Sequence, residues 1–211
     1  MWIWNEEKTA KWLDPAIEMH YLAARWAAMG FRAVLDNGCG PGRHGIFFAH
    51  KGFSVTGLDQ SRQGLDYFEN WAREQGLTVT AVQGDIFSLP FPDESFDGII
   101  DYNVSYHTDT EGFFRAVSEL RRVLRPGGEV YITLLSQSDP GFRDAPEEEH
   151  IDRYTLVHAG GTPHFYGRKD DFVEIFSGFT MAIPPREIRT AGRDSAKEST
   201  HYHLLLKKES L

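Results

Sequence analysis

Three carboxylates follow short apolar runs at regular intervals: Asp36 after Val34 and Leu35, Asp59 after Val55 to Leu58, and Asp85 just past Val82. Glycines crowd behind the first, at Gly38, Gly40, Gly42 and Gly45, and a new apolar pattern begins at Ile46, Phe47 and Phe48. Strand, glycine turn and helix in that order build a nucleotide pocket at the carboxyl edge of a doubly wound sheet. Glycine supplies positive φ there and lets a ligand approach the backbone, and the first N–H groups of the helix are unpaired donors. Gly40, Gly42 and Gly45 also satisfy G-x-G-x-x-G, which raises a dinucleotide alternative. A dinucleotide lays its diphosphate on the helix amino end, and Asp36 is a poor neighbour for it. The acid favours a ligand with positive charge and no phosphate; S-adenosylmethionine, with its sulfonium and ammonium groups, is such a ligand.

Strands and helices alternate at βα spacing around these acids. Asp14-Pro15 reads as a helix N-cap followed by proline at the first helical position. Met19, Leu22, Trp26 and Met29 form one apolar stripe, which Gly30 closes. Phe53 to Leu58 is a second strand, and Ser61 caps a helix with Leu65, Phe68 and Ala72 inward and Gly76 at its end. Thr78 to Val82 and Phe96 to Asp101 are the third and fourth strands. A helix from Thr110 carries Phe113, Val117, Leu120 and Leu124, and Pro126-Gly127-Gly128 stops it before a fifth strand, Glu129 to Leu135. Gln137 to Asp170 is polar, rich in glycine and proline, and too long for a plain connection, which marks a functional loop or lid. Asp171 to Phe176 is a short helix. Phe179, Met181 and Ile183 alternate as in a strand, and His201 to Lys207 is the last strand, so the two late strands form an antiparallel edge pair.

The bulk properties narrow the class. A chain of 211 residues with 41% hydrophobic and 25% charged residues fits one domain with a real core. No apolar run approaches the roughly 20 residues of a membrane span, so no membrane partner is expected. The amino terminus lacks a signal-peptide pattern, and Cys39 is the lone cysteine, so a reduced, cytoplasmic setting is the expectation. Net charge −9 disfavours nucleic acid, whose binding rests on clustered Lys and Arg. A small molecule is the expected substrate, and the oligomeric state stays open between monomer and homodimer.

Over about residues 31 to 136 the chain resembles class I S-adenosylmethionine-dependent methyltransferases. The motifs VLDNGCGPG, VTGLD, VQGDIFSLPFPDESFD, GIIDYNVSYHTD and LRPGGEVYIT carry the resemblance in order and spacing. TPHFYGRKDDFVEIFSGF and HYHLLLKK resemble, more loosely, the tail of small-molecule members such as the tellurite-resistance and thiol-directed enzymes. Asn37 departs from the pattern, standing where the family more often has an apolar residue. The resemblance implies a Rossmann-like α/β fold with a seven-stranded sheet in the order 3-2-1-4-5-7-6, strand 7 antiparallel, helices on both faces and a small cap. Its divisions are a helical cap over 1–30, a cofactor core over 31–136, a lid or substrate loop over 137–170, and the last helix and strand pair over 171–211.

The resemblance also assigns roles. S-adenosyl-L-methionine is the implied cofactor and S-adenosyl-L-homocysteine the product. Asp36 and the backbone at Gly38 and Gly40 face the methionine moiety, with Cys39 and Gln60 in the same cofactor-binding set. Asp59 accepts from both ribose hydroxyls, since a carboxylate has two acceptor oxygens. Asp85 accepts from the adenine amino group, Ile86 packs on the ring and offers its N–H, and Asn103 lines the pocket near the methyl. Methyl transfer needs alignment more than covalent catalysis. Where the acceptor carries a proton a base helps, and His107, beside Tyr106 after the fourth strand, is the candidate.

Each role has a plainer rival. Asp85 reads equally as a turn residue, Cys39 as a packing residue, and His107 as a hydrogen-bonding group of the cap. His201 and His203 share a strand face but lack a third ligand, so no metal is expected. Trp2, Trp4, Tyr21, Tyr154, His164 and Tyr166 populate the two cap segments, where acceptor choice is expected to lie. Two other functions remain open, a nicotinamide-dependent reductase and a non-catalytic S-adenosylmethionine-binding protein.

Overall fold

The computed structural model describes residues 13–157, 161–191 and 198–210. Its elements run α1 (Glu18–Ala28), β1 (Ala33–Asn37), α2 (Arg43–His50), β2 (Ser54–Asp59), α3 (Arg62–Glu74), β3 (Thr80–Gln83), β4 (Phe96–Asp101), α4 (Thr110–Val123) and β5 (Leu124–Ser136). Then come α5 (Pro140–Arg143), β6 (Thr155–Val157), β7 (Pro163–Gly167), α6 (Phe172–Ile175), β8 (Phe179–Met181), β9 (Arg186–Ala191) and β10 (Glu198–Lys208). The sheet order is β3-β2-β1-β4-β5-β10-β8. The first five strands are parallel, and β10 runs antiparallel to both β5 and β8. With β8 and β10 as the two late strands, this is the expected order.

The strand count is larger than expected: the described residues hold ten. Three short strands are new. β6 and β7 form a hairpin, and β7 also adds to the end of β5 through Leu135 and Ser136. β9 pairs with β10. The stretch from Gln137 to Asp170 is therefore not a plain loop. Several of its apolar residues are core: Tyr154, Leu156, Phe165 and Tyr166 are buried, and Phe165 stacks on Phe113 at 4.0 Å. β6, with three residues, lies below what periodicity can register.

Local chemistry sets most boundaries. Ser61 and Asp109 each accept an N–H from the first turn of α3 and α4. Gly30, at φ +77, ends α1 as Phe31 N–H donates back to the Trp26 carbonyl. Two expected boundaries move. Asp14 does not cap a helix, because α1 starts at Glu18 and the residues before it reach sideways. The Asp14 carbonyl accepts from Arg43 Nη1 (3.3 Å), and Ala16 N–H donates to His44 Nε2 (3.3 Å), strapping the chain to α2. Pro126-Gly127-Gly128 does not stop α4, which ends at Val123; the three residues lie inside β5, where its register against β4 shifts.

The stripe on α1 buries Met19, Leu22 and Trp26, but Met29, past the helix end, is 39% exposed. Trp26 lies flat over Gly98, where a Cβ would meet the indole at 2.8 Å. Its Nε1 donates to Glu129, and Arg25 grips the same carboxylate through Nε (2.9 Å) and Nη2 (2.6 Å). Glu129 is fully buried, so removing Arg25 would leave an unpaired charge in the core.

The glycine turn is shaped by one ring. A Cβ at Gly42, Gly45 or Gly57 would come within 2.0, 2.9 or 2.6 Å of Phe68, and one at Gly38 within 2.5 Å of Val104. The space that the sequence suggests for a ligand at these Cα atoms is filled by protein. Gly57 has no positive φ, so an alanine there tests packing alone. Gly57→Ala should cost about 1–3 kcal/mol in urea unfolding. In Phe68→Leu the same change should cost measurably less, because the two sites are in contact.

Candidate functional site

The carboxyl ends of β1, β2 and β4 open into a cleft of about 690 Å³. Asp36, Gly38, Cys39, Asp59, Gln60, Ile86, Asn103, Tyr106 and His107 all line it, so nine of the expected site residues converge. Gly40 and Asp85 do not form its wall. Gly40 acts one step back, its N–H donating to Asp59 Oδ2 at 2.8 Å. Asp85 is exposed and accepts the Phe87 N–H through Oδ1 (3.0 Å), which is the turn role. The turn nevertheless presents Ile86 and Phe87 to the cleft. Arg122 of α4 fixes the rest of that loop by binding the carbonyls of Phe91 (2.8 Å) and Leu89 (2.9 Å).

Asp36 is buried, and its Oδ2 accepts the N–H of Gly45 in the first turn of α2 (2.8 Å). Burial, only partly offset by that bond and by Arg43, pushes its carboxyl up to about 7. Burial also raises Asp59 above the usual carboxylate range, against hydrogen bonds from Ser61 and Gly40. Cys39 is buried in the cleft wall, and desolvation and Asp36 push its thiol up, away from the reactive thiolate form.

The far wall comes from the loop after β4. Asp101 is fully buried; Ser105 donates to it through Oγ (2.6 Å) and N–H (3.1 Å), and Asn37 through Nδ2 (2.7 Å). Asn37, unexpected by type, thus ties β1 to β4 at the register pair Asn37–Asp101. Asn103 holds φ +58, a region asparagine tolerates, with its N–H on Thr133 Oγ1 at 2.7 Å. Beyond it His107 stands open to the cleft, its Nδ1 2.9 Å from His164 Nε2. The protein crowded around His107, and then His164, hold its imidazole well below the usual range, while the Asn103 carbonyl favours the charged form. Tyr106 is buried, and its hydroxyl meets His201 Nε2 at 3.2 Å. His203 pairs separately with Tyr131, Nδ1 to hydroxyl, at 2.5 Å.

The sequence did not single out Arg43, His44, Tyr102, Val104, Phe87 or Thr162 as lining residues. Arg43 and His44 stood in the glycine string itself; the others carry no pattern of their own. Tyr154 and Tyr166, expected to face an acceptor, are core. Trp2, Trp4 and Trp12 lie outside the described residues.

Residues 34–128 match a family model described as a methyltransferase domain. Just under half of the chain is thus similar to a methyltransferase domain. It is 31% identical over 154 residues to a sterol 24-C-methyltransferase of Yarrowia lipolytica, covering 71% of this chain and 39% of that protein. It is 37% identical over 138 residues to a malonyl-[acyl-carrier protein] O-methyltransferase of Enterobacter lignolyticus, covering 63% and 53%. The chain thus spans about half or less of the length of these relatives. A solved S-adenosylmethionine-dependent methyltransferase of Methanosarcina mazei superposes with a TM-score of 0.77 at 22% identity, over 94% of this chain and all of the other. A Burkholderia thailandensis 1,6-didemethyltoxoflavin-N1-methyltransferase holding S-adenosylhomocysteine gives 0.67 at 20%, over 92% and 79%. The cleft lies where this fold class binds ligands, at the strand carboxyl ends. Among the described residues no helix is long and apolar enough to cross a membrane.

Asp36 gives a pH signature. Its folded pKa, about 7, exceeds the unfolded value near 4, so the folded state binds more protons between those values. Its contribution therefore falls as pH rises through that window. Asp36→Asn should gain stability relative to the parent from pH 4 to 7, by at most roughly 1.4 kcal/mol per unit. Urea unfolding at pH 5, 6 and 7 measures the divergence; parallel curves would contradict it.

Proposed function

We propose that the protein transfers a methyl group from S-adenosyl-L-methionine to a small-molecule acceptor. The observation that carries this reading is the bond from Gly45 N–H to Asp36. The helix amino end that a diphosphate would need is already capped by a buried carboxylate, which repels phosphate and attracts a cation. That weighs against a nicotinamide-dependent reductase. The curated relatives carry names of sterol, fatty-acid and malonyl-[acyl-carrier protein] methyltransferases, which supports the same chemistry.

The residues present fit the group. Asp59, with both oxygens held from the backbone, is positioned to accept from ribose hydroxyls. Ile86 and Phe87 supply apolar faces for adenine, and Asp36 faces the cationic end. The cofactor supplies a methyl carbon activated by sulfonium; the protein aligns the acceptor and excludes water. His107 takes a proton where the acceptor carries one. Acceptor choice is assigned to residues 1–30 and to the 137–170 region, the latter of which brings Thr162 and His164 to the cleft. The acidic balance and the single buried cysteine favour a small-molecule substrate in a reducing, cytoplasmic setting over a nucleic-acid partner.

Calorimetry with S-adenosylhomocysteine tests the site. Asp59→Asn should weaken binding by about 1.5–3 kcal/mol, the scale of a hydrogen bond to a charged group, with NADH failing to bind the parent. Unchanged affinity removes Asp59 from the ribose role, and tight NADH binding removes the methyltransferase reading. Binding of S-adenosylmethionine should also release protons near pH 7, as a cation beside Asp36 draws its pKa down. Titration in two buffers of different ionisation enthalpy reads that release, and its absence would place the cation elsewhere. A metabolite panel scored for S-adenosylhomocysteine formation identifies the acceptor.

A further inference from the structure

We infer that His164 is a positioning residue, one that fixes the tautomer of His107 so that Nε2 is the nitrogen offered to the acceptor. Two contacts set the argument. His164 Nδ1 lies 3.1 Å from the Thr162 carbonyl, and its Nε2 lies 2.9 Å from His107 Nδ1. A carbonyl only accepts, so His164 carries its proton on Nδ1 and presents the Nε2 lone pair. With both rings uncharged, His107 must then donate from Nδ1, which leaves the lone pair on its own Nε2.

His164 is held well enough to enforce this. It sits on β7, whose neighbour Phe165 donates its N–H to the Tyr106 carbonyl at 2.8 Å, one residue before His107. Phe165 itself is clamped against Phe113, and Tyr166 N–H donates to the Tyr154 carbonyl (2.8 Å) on the hairpin's other strand. The hairpin and the loop after β4 are thus joined through the backbone, and the two rings meet edge to face at 4.9 Å. The groups facing His107 are His164 from β7, His201 from β10, the Asn103 carbonyl and the Tyr106 ring, with Asp139 acting on His201.

The consequence rests on the methyl-transfer reading. An acceptor atom bearing a proton forms its bond to the methyl carbon as the carbon–sulfur bond breaks, its electron pair going to sulfur. The proton moves to His107 Nε2, and the positive charge passes from sulfonium to imidazolium. The same His164 lone pair accepts from the imidazolium Nδ1–H, so the contact survives the transfer.

Long-range ¹H–¹⁵N correlation on the ligand-free protein tests the assignment without any acceptor. At pH 7 His107, identified by its loss in His107→Asn, should show the pattern of a neutral ring protonated at Nδ1. His164→Phe, which keeps a ring but no acceptor, should move the population toward the Nε2–H form. His164→Gln, whose amide oxygen can accept, should restore the parent pattern. Both variants should bind S-adenosylhomocysteine within about threefold of the parent, which shows the cofactor site intact. A His107 protonated at Nε2 in the parent, or a His164→Phe spectrum like the parent's, overturns the inference while leaving the methyltransferase reading standing. Failure of the parent to bind S-adenosylhomocysteine would overturn that reading instead, with the tautomer result unaffected.

Discussion

One aromatic ring sets the cleft. Phe68 lies across the places where Gly42, Gly45 and Gly57 have no side chain, and so clamps α2 and β2 to α3. Full burial of that ring contributes on the order of 1.5–3 kcal/mol, but its larger effect is geometric. With α2 drawn this close, Gly45 N–H reaches Asp36 and Gly40 N–H reaches Asp59. The glycines are required by a neighbour as much as by φ: Gly42 at φ +91 needs both, Gly57 only the neighbour. A ligand is left with the acids and the cleft face of the turn.

That constraint explains which parts of the sequence were legible. Capping and helix ends came through where one residue decides the geometry, as at Ser61 and Gly30. The acids at strand ends came through because a sheet converts equal spacing into a shared edge. Asp85 did not behave like the other two, since its side chain closes onto Phe87 N–H before it can face a ligand. Asp14-Pro15 carried a good local signal that lost to contacts with Arg43 and His44, 29 and 28 residues ahead. β6 and β7 were invisible because their stability comes from Phe113 and the end of β5, which no local window contains. His107 and His164, 57 residues apart, could be paired only by the hairpin register.

The electrostatics of the cleft divide along the same lines. One side holds the buried Asp36 and the half-buried Asp59; like the fully buried Asp101 of the far wall, both are raised by desolvation and held by backbone N–H groups. Each is costly to ionise in isolation, so the protein stores a preference for a cation at that edge. The other side is built of Tyr106, His107, His164 and His201, where desolvation and the neighbouring imidazoles favour the neutral forms of His107 and His201. Neutral imidazoles there leave the attraction for a cationic ligand on the acid side, where orientation is decided.

Neutrality on the histidine side has a second effect. In the proposed reaction, methyl transfer would remove the sulfonium charge, and the acids would lose part of the positive charge that favours their ionised form. Asp36, with a carboxyl near 7, can take up a proton at that moment without leaving its bond to Gly45. Its attraction for the thioether product, which keeps its ammonium group, would then be weaker than for the sulfonium by the share that the sulfonium charge supplies. On the proposed function, the burial that makes Asp36 costly to ionise would thus help to separate substrate from product, since a fully solvated carboxylate would feel the loss of that charge only weakly.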